Sequence, residues 1–192
     1  MTKVILASSS VYRKMLLKKI LPEFESISPE VDEEAVKKKI KNPKKLSQFL
    51  AREKALAIQK KFPDCIVIGS DQVVSLKNEI LSKPGELNKA IKQISKLNGK
   101  YHQLYTSIYV CGPESTYEHT DVTKLKMKKL KTSQIVNYLN QDKPFDCAGS
   151  YKIEEKGITL FEKIECEDFN AITGLPLMAL TKILEKMKIN IL

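Results

Sequence analysis

The sequence lacks several features that would assign it at once to a familiar class. No apolar run approaches the ~20 residues needed to cross a bilayer. No segment rich in Pro, Gly or Ser divides the chain, and it contains neither an internal repeat nor a low-complexity tract. A hydrophobic content of 42% argues against disorder. We therefore expect residues 1–192 to form a single domain with a substantial core.

Cysteine and histidine are too scattered to indicate a zinc site or a Cys-His nucleophile pair. No two cysteines form a CxxC motif, and His102 and His119 lie far apart in sequence. The first residues do not resemble a signal peptide, so unpaired cysteines indicate reduced thiols in a cytoplasmic protein. The four are Cys65, Cys111, Cys147 and Cys166.

The charge of the chain is one-sided, with 33 Lys and Arg against 23 Asp and Glu and a net charge of +10. Such an excess favours polyanionic partners, either nucleic acid or phosphorylated small molecules. Much of it lies in the lysine-rich stretches 36–41 and 124–131, whose ordinary explanation is a solvated face. Charge alone does not choose between these partners.

The stretch LASSSVYRKMLL, residues 6–17, places serines between two apolar patterns. Residues 3–7 predict a buried strand, and the apolar spacing of residues 15–20 predicts a helix. Serine hydroxyls and free backbone N–H groups at a helix start can bind phosphate, and Arg13 adds a charged fork suited to phosphate oxygens. Simple helix capping explains the serines equally well, and the loop lacks the glycines of a Walker-type P-loop.

Strands and helices are mixed without a strict βαβ order, which predicts an α/β fold around a mixed, twisted sheet. We expect strands at 24–28, 66–74, 80–84, 100–111 and 116–130, and helices at 33–41, 46–61, 86–97, 132–141 and 176–187.

Asp71 follows directly on the apolar strand IVIGS. A carboxylate there costs desolvation free energy unless a metal, a cation or a catalytic role compensates. A three-residue turn at 77–79 would pair Leu76 with Ile80 and bring Lys83 to the face that carries Asp71. The ordinary alternative is a surface salt bridge.

Two further stretches carry charge in a similar setting. Glu33 lies among the carboxylates of PEVDEE, where helix capping and dipole compensation are the ordinary roles. Lys54, in LAREKA, is ordinarily a solvated helix lysine. Taken together, six side chains form a set suited to phosphates and a divalent metal: Ser8, Arg13, Glu33, Lys54, Asp71 and Lys83.

A series of motifs along essentially the whole chain resembles the Maf family of nucleoside triphosphate pyrophosphatases. The motifs are LASSSVYRKMLL, SPEVDEEAV, LAREKA, VIGSDQVV, ILSKPGELNKAI and ITGLPLMAL. The main departure is Val11, where the family usually has proline. The resemblance implies an elongated α/β fold with two lobes around a central cleft.

The resemblance also implies metal-dependent hydrolysis of a nucleoside triphosphate to the monophosphate and pyrophosphate. Asp71 is implied as the general base, with a metal-ligand role as the alternative, and Glu33 would hold or orient Mg²⁺ or Mn²⁺. The triphosphate would be bound by Ser8, Arg13, Lys54 and Lys83. A homodimer is a further expectation, and no membrane partner is expected.

Within the family, GSDQVV and FDCAGSYKIEEKGITLFEKIE resemble the branch described as 7-methyl-GTP pyrophosphatases rather than the dTTP and UTP branch. In that branch the charged base would stack on Tyr12. Glu154 would accept from guanine N1–H and the N2 amino group, and Gln72 would contact the base edge. The ordinary alternatives are that Tyr12 packs on the first helix and that Glu154 is a solvated loop acid.

A function of another class is a basic, nucleic-acid-associated protein in cell-division control. The net charge favours it, but the sequence lacks the interleaved aromatic and basic residues of an RNA-binding platform.

Overall fold

The computed structural model describes residues 3–191, which form one seven-stranded sheet with α-helices packed against it. The strands are β1 (Val4–Ala7), β2 (Glu25–Ile27), β3 (Ile66–Leu76), β4 (Glu79–Leu81), β5 (Tyr101–Cys111), β6 (Thr116–Met127) and β7 (Phe161–Glu165). They lie in the order β2-β1-β3-β5-β6-β7, and β4 pairs with β3 off this path. The β1–β2 and β1–β3 pairs are parallel and the others antiparallel, so the predicted mixed α/β sheet is confirmed.

Except for α6 (Phe169–Thr173), the α-helices of residues 3–191 fall where they were predicted, with ends displaced by a few residues. They are α1 (Val11–Lys18), α2 (Glu33–Lys39), α3 (Pro43–Gln59), α4 (Leu87–Leu97), α5 (Thr132–Asp142), α6 (Phe169–Thr173) and α7 (Leu177–Lys186). The long helix α3 begins earlier than expected, because Asn42 caps it and Pro43 occupies its first turn.

The sheet is covered on both faces around β1, which explains why that strand is continuously apolar. Val4 and Leu6 pack in one cluster with Leu180 of α7, while Ile5 packs on the other face with Ala55 of α3. Successive side chains of a strand point to opposite faces, so each face of β1 meets a different helix layer.

A separate core surrounds the other end of the long strands. Leu104 of β5 and Leu125 of β6 pack there with Ile94 of α4 and Leu139 of α5. The strands β3 and β5 each have 11 residues and contribute to both cores. Their middle residues therefore lie between two groups of helices, and Asp71 is one of them.

The turn between β3 and β4 differs from the predicted one. Leu76 pairs with Glu79 rather than with Ile80, so the turn contains two residues, Lys77 and Asn78. Both have positive φ, +50° and +69°, as a type I′ hairpin turn requires. The ladder ends at Leu81, so it does not place Lys83 opposite β3 as we had predicted.

Two elements were not predicted, β7 and α6. The β7 sequence FEKIE has only two apolar residues, and α6 spans five residues, too few to show a helical period. Among the described residues no helix is long and apolar enough to cross a membrane. All four cysteines are free.

Candidate active site

A cavity of about 510 Å³ is lined by segments far apart in sequence, from residue 7 to residue 174. All the side chains that the sequence analysis singled out lie on its wall: Ser8, Tyr12, Arg13, Glu33, Lys54, Asp71, Gln72, Lys83 and Glu154. The fold thus brings together residues that no local pattern connects.

The loop between β1 and α1 forms part of the wall. Ser10 caps α1, and its Oγ accepts a hydrogen bond from the Arg13 amide at 3.4 Å. Ser8 is buried, and its Oγ accepts from the Ser10 amide at 3.1 Å. The capping explanation is therefore correct for Ser10, and Ser8, Ser10 and Arg13 all line the cavity.

Lys54 holds the two principal carboxylates of the site. Its Nζ lies 2.6 Å from Asp71 Oδ1 and 2.7 Å from Glu33 Oε1. The Lys54 and Asp71 side chains are only 9% and 8% exposed, so this is a buried ion pair rather than a surface salt bridge. A buried carboxylate needs such a partner because its desolvation is otherwise uncompensated.

Close packing of α3 on β3 makes this pair possible. A Cβ added at Gly69 would lie 2.2 Å from the Ala51 carbonyl oxygen and 2.7 Å from the Ala55 amide nitrogen. Only glycine allows the helix backbone to approach the strand so closely. Lys54 is on this stretch of α3, and Asp71 follows Gly69 by two residues on the same strand.

Burial and charge shift the two carboxylates in opposite directions. Burial raises the pKa of Asp71, and the nearby charges of Lys54 and Arg13 only partly oppose it. Burial also acts to raise the pKa of Glu33, but Lys54, Lys37 and Lys83 together hold it below its usual value. Asp71 is consequently the more basic carboxylate of the two.

Lys83 does not pair with Asp71 as we had predicted. Within residues 3–191 it forms no ion pair with Asp71, whose cationic partner is Lys54. Lys83 instead lies exposed on the cavity wall, where its charge acts on Glu33. The prediction failed because the turn has two residues and because Lys83 lies beyond the end of β4.

Residues 3–187 match the family described as Maf-like protein. The chain belongs to this family.

Several curated relatives of this Maf-like chain carry the same name. A protein of Bdellovibrio bacteriovorus named 7-methyl-GTP pyrophosphatase is 45% identical over 183 residues, covering 95% of this chain and 96% of its own. One of Xanthomonas axonopodis with that name is 40% identical, with 97% of both chains covered. A HAM1 protein from Coxiella burnetii shares the fold, with a TM-score of 0.56, 15% identity and coverage of 97% of this chain and 100% of that one.

Tyr12 and Glu154 lie together on the wall of the Maf-like cavity. Burial, followed by the Glu154 charge, raises the pKa of Tyr12. Burial also raises the pKa of Glu154, while the Tyr12 hydroxyl acts to lower it. The tyrosine ring and the carboxylate thus form one local group, drawn from α1 and from the loop before β7.

The amide nitrogen of Gln72 is engaged inside the protein. It lies within hydrogen-bond distance of three acceptors that its two N–H groups share: Thr106 Oγ1 at 3.0 Å, the Ala171 carbonyl at 3.0 Å and the Ile172 carbonyl at 2.8 Å. Gln72 therefore fixes the end of α6 against the sheet. Its amide oxygen is the group that could accept a hydrogen bond from a bound base.

Several residues on the wall of this cavity were not predicted. Lys37 lines the cavity one helical turn after Glu33, within the lysine run that was interpreted as a solvated face. The helical spacing from Glu33 was the signal that could have identified it. A group of apolar side chains lines another part of the wall, and nothing in their local sequence indicated this: Leu81, Leu104, Tyr151, Ile153 and Ile172.

Glu33 and Asp71 are cavity carboxylates of the chemical type that binds divalent cations. Among residues 3–191 no group of three or more His, Cys, Asp or Glu side chains is placed to hold a metal ion. Glu33 and Asp71 nevertheless converge on one point, the Lys54 ammonium. Mg²⁺ is commonly held by one or two carboxylates together with substrate phosphates and water. The pair fits that mode and does not fit a metal held by protein ligands alone.

Proposed function

We propose that this Maf-like chain is a nucleoside triphosphate pyrophosphatase that acts preferentially on 7-methyl-GTP. The observation that carries the proposal is the buried Asp71–Lys54 pair on the wall of a cavity that also carries Arg13 and Lys83. The names of the relatives support the choice of nucleotide.

Asp71 acts as the general base in the proposed reaction. Its Oδ1 accepts from Lys54, whereas its Oδ2 receives no hydrogen bond from the described residues and can accept from a water molecule. That water loses a proton to Oδ2 as its oxygen bonds to the α-phosphorus. The bond from the α-phosphorus to the bridging oxygen breaks, and pyrophosphate leaves.

The cations of the cavity bind the triphosphate and stabilise the charge that develops on the leaving group. Arg13, Lys54 and Lys83 serve in this role, and the Ser8 hydroxyl adds a neutral donor. Lys54 is held by Asp71 and Glu33, and Arg13 by the Gly174 carbonyl, so these two cations need little reorganisation during the reaction.

Glu33 would hold a divalent cation, Mg²⁺ or Mn²⁺, together with oxygens of the bound triphosphate. In the alternative assignment, Asp71 is a second ligand of this cation instead of the base. When bound, such an ion neutralises part of the phosphate charge. Glu33 is suited to this task because neighbouring lysines keep its pKa low and its carboxylate ionised.

The proposal is tested by incubating the protein with 7-methyl-GTP, GTP, UTP and dTTP in the presence of Mg²⁺ or Mn²⁺, and by measuring released pyrophosphate and orthophosphate separately. We expect pyrophosphate as the product. We expect kcat/KM for 7-methyl-GTP to exceed that for UTP or dTTP by at least ~10-fold, which corresponds to ~1.4 kcal/mol.

Asp71→Asn should abolish turnover while the protein stays folded, because the amide cannot take the proton. The matched control is Asp64→Asn, which changes an exposed acid outside the cavity and should keep full activity. Near-normal pyrophosphate release from Asp71→Asn would refute the mechanism. A preference for UTP or dTTP would refute the choice of base and leave the triphosphate site intact.

A further inference from the structure

Three distant segments of the chain meet at one backbone oxygen, the carbonyl of Gly174. This oxygen accepts a hydrogen bond from Arg13 Nε at 3.0 Å and another from Ser70 Oγ at 2.8 Å. Arg13 belongs to α1, Ser70 to β3, and Gly174 ends α6. Ser70 is fully buried and, unlike the other two, does not line the cavity.

Gly174 is required at this position for two reasons. Its φ of +114° lies in the region that side-chain-bearing residues rarely adopt. A Cβ there would also lie only 3.3 Å from Arg13 Nε, on the atom that makes the contact. The glycine of the ITGLPL motif therefore presents a carbonyl to the arginine and leaves room for it.

The contact at Nε determines which donors of Arg13 remain available. A guanidinium has five N–H donors in one plane, and a hydrogen bond at Nε leaves the four on the two Nη atoms. Fixing one donor of a rigid plane also restricts the orientation of the others. The Nη pair is the fork that binds phosphate oxygens in bidentate fashion.

The neutral carbonyl also keeps Arg13 apart from the carboxylates of the site. Asp71 and Glu33 both act on the charge of Arg13, yet within residues 3–191 their ion pairs are with lysines and none is with Arg13. A free guanidinium beside two carboxylates would pair with them. Held at Nε by Gly174, it stays available for an anionic ligand.

We infer that Ser70 and Gly174 are positioning residues for Arg13, and that Ser70 acts on triphosphate binding through the Gly174 carbonyl without touching the substrate. The inference rests on the proposed function in one respect, that Arg13 binds phosphate. Ser70 orients the carbonyl, the carbonyl orients the guanidinium, and the guanidinium binds the anion.

Ser70→Ala removes the hydroxyl that orients the carbonyl and replaces no side chain that lines the cavity. Its matched control is Ser75→Ala, which makes the same change at a buried position of the same strand away from the cavity. We expect Ser70→Ala to weaken the binding of inorganic tripolyphosphate about three- to tenfold in a calorimetric titration. The kcat/KM for every accepted nucleotide should fall by the same factor, so the ratio between 7-methyl-GTP and UTP stays constant. Ser75→Ala should change neither quantity.

A double-mutant cycle with Arg13→Lys separates positioning from a general loss of stability. Lysine has neither the Nε–H that contacts Gly174 nor the Nη fork that binds phosphate. Ser70→Ala should therefore have no further effect on tripolyphosphate binding in the Arg13→Lys background. An equal loss in both backgrounds, or a changed base preference in Ser70→Ala, would overturn the inference. Because tripolyphosphate carries no base and the titration needs no hydrolysis, the cycle gives its answer even if the preferred nucleotide differs from the proposed one.

Discussion

Asp71 is buried beside two cations and still has a raised pKa, because the desolvation of its carboxylate outweighs the attraction of Lys54 and Arg13. Lys54 is at hydrogen-bond distance, whereas Arg13 is held by the Gly174 carbonyl. Glu33 adds a second negative charge that raises the pKa of Asp71 further. These effects bring the carboxylate closer to the proton affinity that a general base needs near neutral pH.

The proposed base role predicts the acid side of the pH profile. A general base works only when deprotonated, so kcat/KM should fall as pH is lowered through the raised pKa of Asp71. In Glu33→Gln the fall should move to lower pH, because one negative charge near Asp71 is gone. The measurement is kcat/KM against pH for both proteins. An unmoved profile would mean that another group controls this limb.

Glu154 gives a second prediction for a single residue. A carboxylate can accept from guanine N1–H and the N2 amino group together, whereas an amide offers a single acceptor oxygen. Glu154→Gln should therefore reduce the preference for 7-methyl-GTP over UTP several-fold and leave slow hydrolysis of other triphosphates intact. Glu155→Gln is the matched control, because Glu155 is the neighbouring acid and does not line the cavity. Equal preferences in the two variants would argue that Glu154 does not contact the base.

At the scale of elements, the position of α3 on β3 determines the distance between Lys54 and Asp71. Gly69 is the point of closest approach, where an added Cβ would meet backbone atoms of Ala51 and Ala55. Backbone atoms cannot move aside as a flexible side chain can, so a methyl group there must displace the helix.

Gly69→Ala should lower the free energy of unfolding by about 3 kcal/mol. It should also lower kcat/KM by about 100-fold, because a shift of roughly 1 Å at a reacting group costs that much. Gly112→Ala is the control, because its Cβ would mainly meet the flexible end of Met187. This substitution should lower the free energy of unfolding much less. Denaturant unfolding and steady-state kinetics measure the two effects. A fully active Gly69→Ala protein would show that the helix position does not control the pair.

At the scale of the whole molecule, His102 in the core around β5 makes the stability of the protein depend on pH. It is 2% exposed, and its Nε2 lies 3.0 Å from the Tyr151 hydroxyl. Its Nδ1 is buried without a partner among the described residues. Burial lowers the pKa of His102 to about 4, below the 6.5 of an exposed histidine. The folded protein therefore keeps this ring neutral in a range where the unfolded chain protonates it.

Stability should consequently fall as pH is lowered from about 6.5 towards about 4, because the unfolded state binds the additional proton. Between pH 7 and pH 5 this contribution is about 2 kcal/mol. His102→Gln should lose less unfolding free energy between pH 7 and pH 5, by that amount. His119→Gln retains His102 and should lose as much as the unsubstituted protein. Denaturant unfolding at the two pH values gives the comparison. An identical decrease in unfolding free energy in the unsubstituted protein and in both variants would contradict the role of His102.

Much of the fold could be predicted from the sequence because its signals are local. The apolar run before Ser8 marks β1, and the spacing of residues 15–20 marks α1. Elements with weak local signals were missed, as α6 shows with its five residues. The residues of the candidate site were predicted largely through motif resemblance, whereas the apolar part of the cavity wall carries no local signal.

By itself the sequence determined the types of most elements and the mixed α/β class, because periodicity and capping act within about 20 residues. It also determined most of the charged residues that face the cavity, through motifs that recur in the family. Tertiary structure alone decided which of these residues meet. Lys54, and not Lys83, became the partner of Asp71 because Gly69 lets α3 approach β3 and because the β3–β4 turn has two residues. Arg13 meets the Gly174 carbonyl across 161 residues of chain, a contact that exists only once the separate elements have packed together.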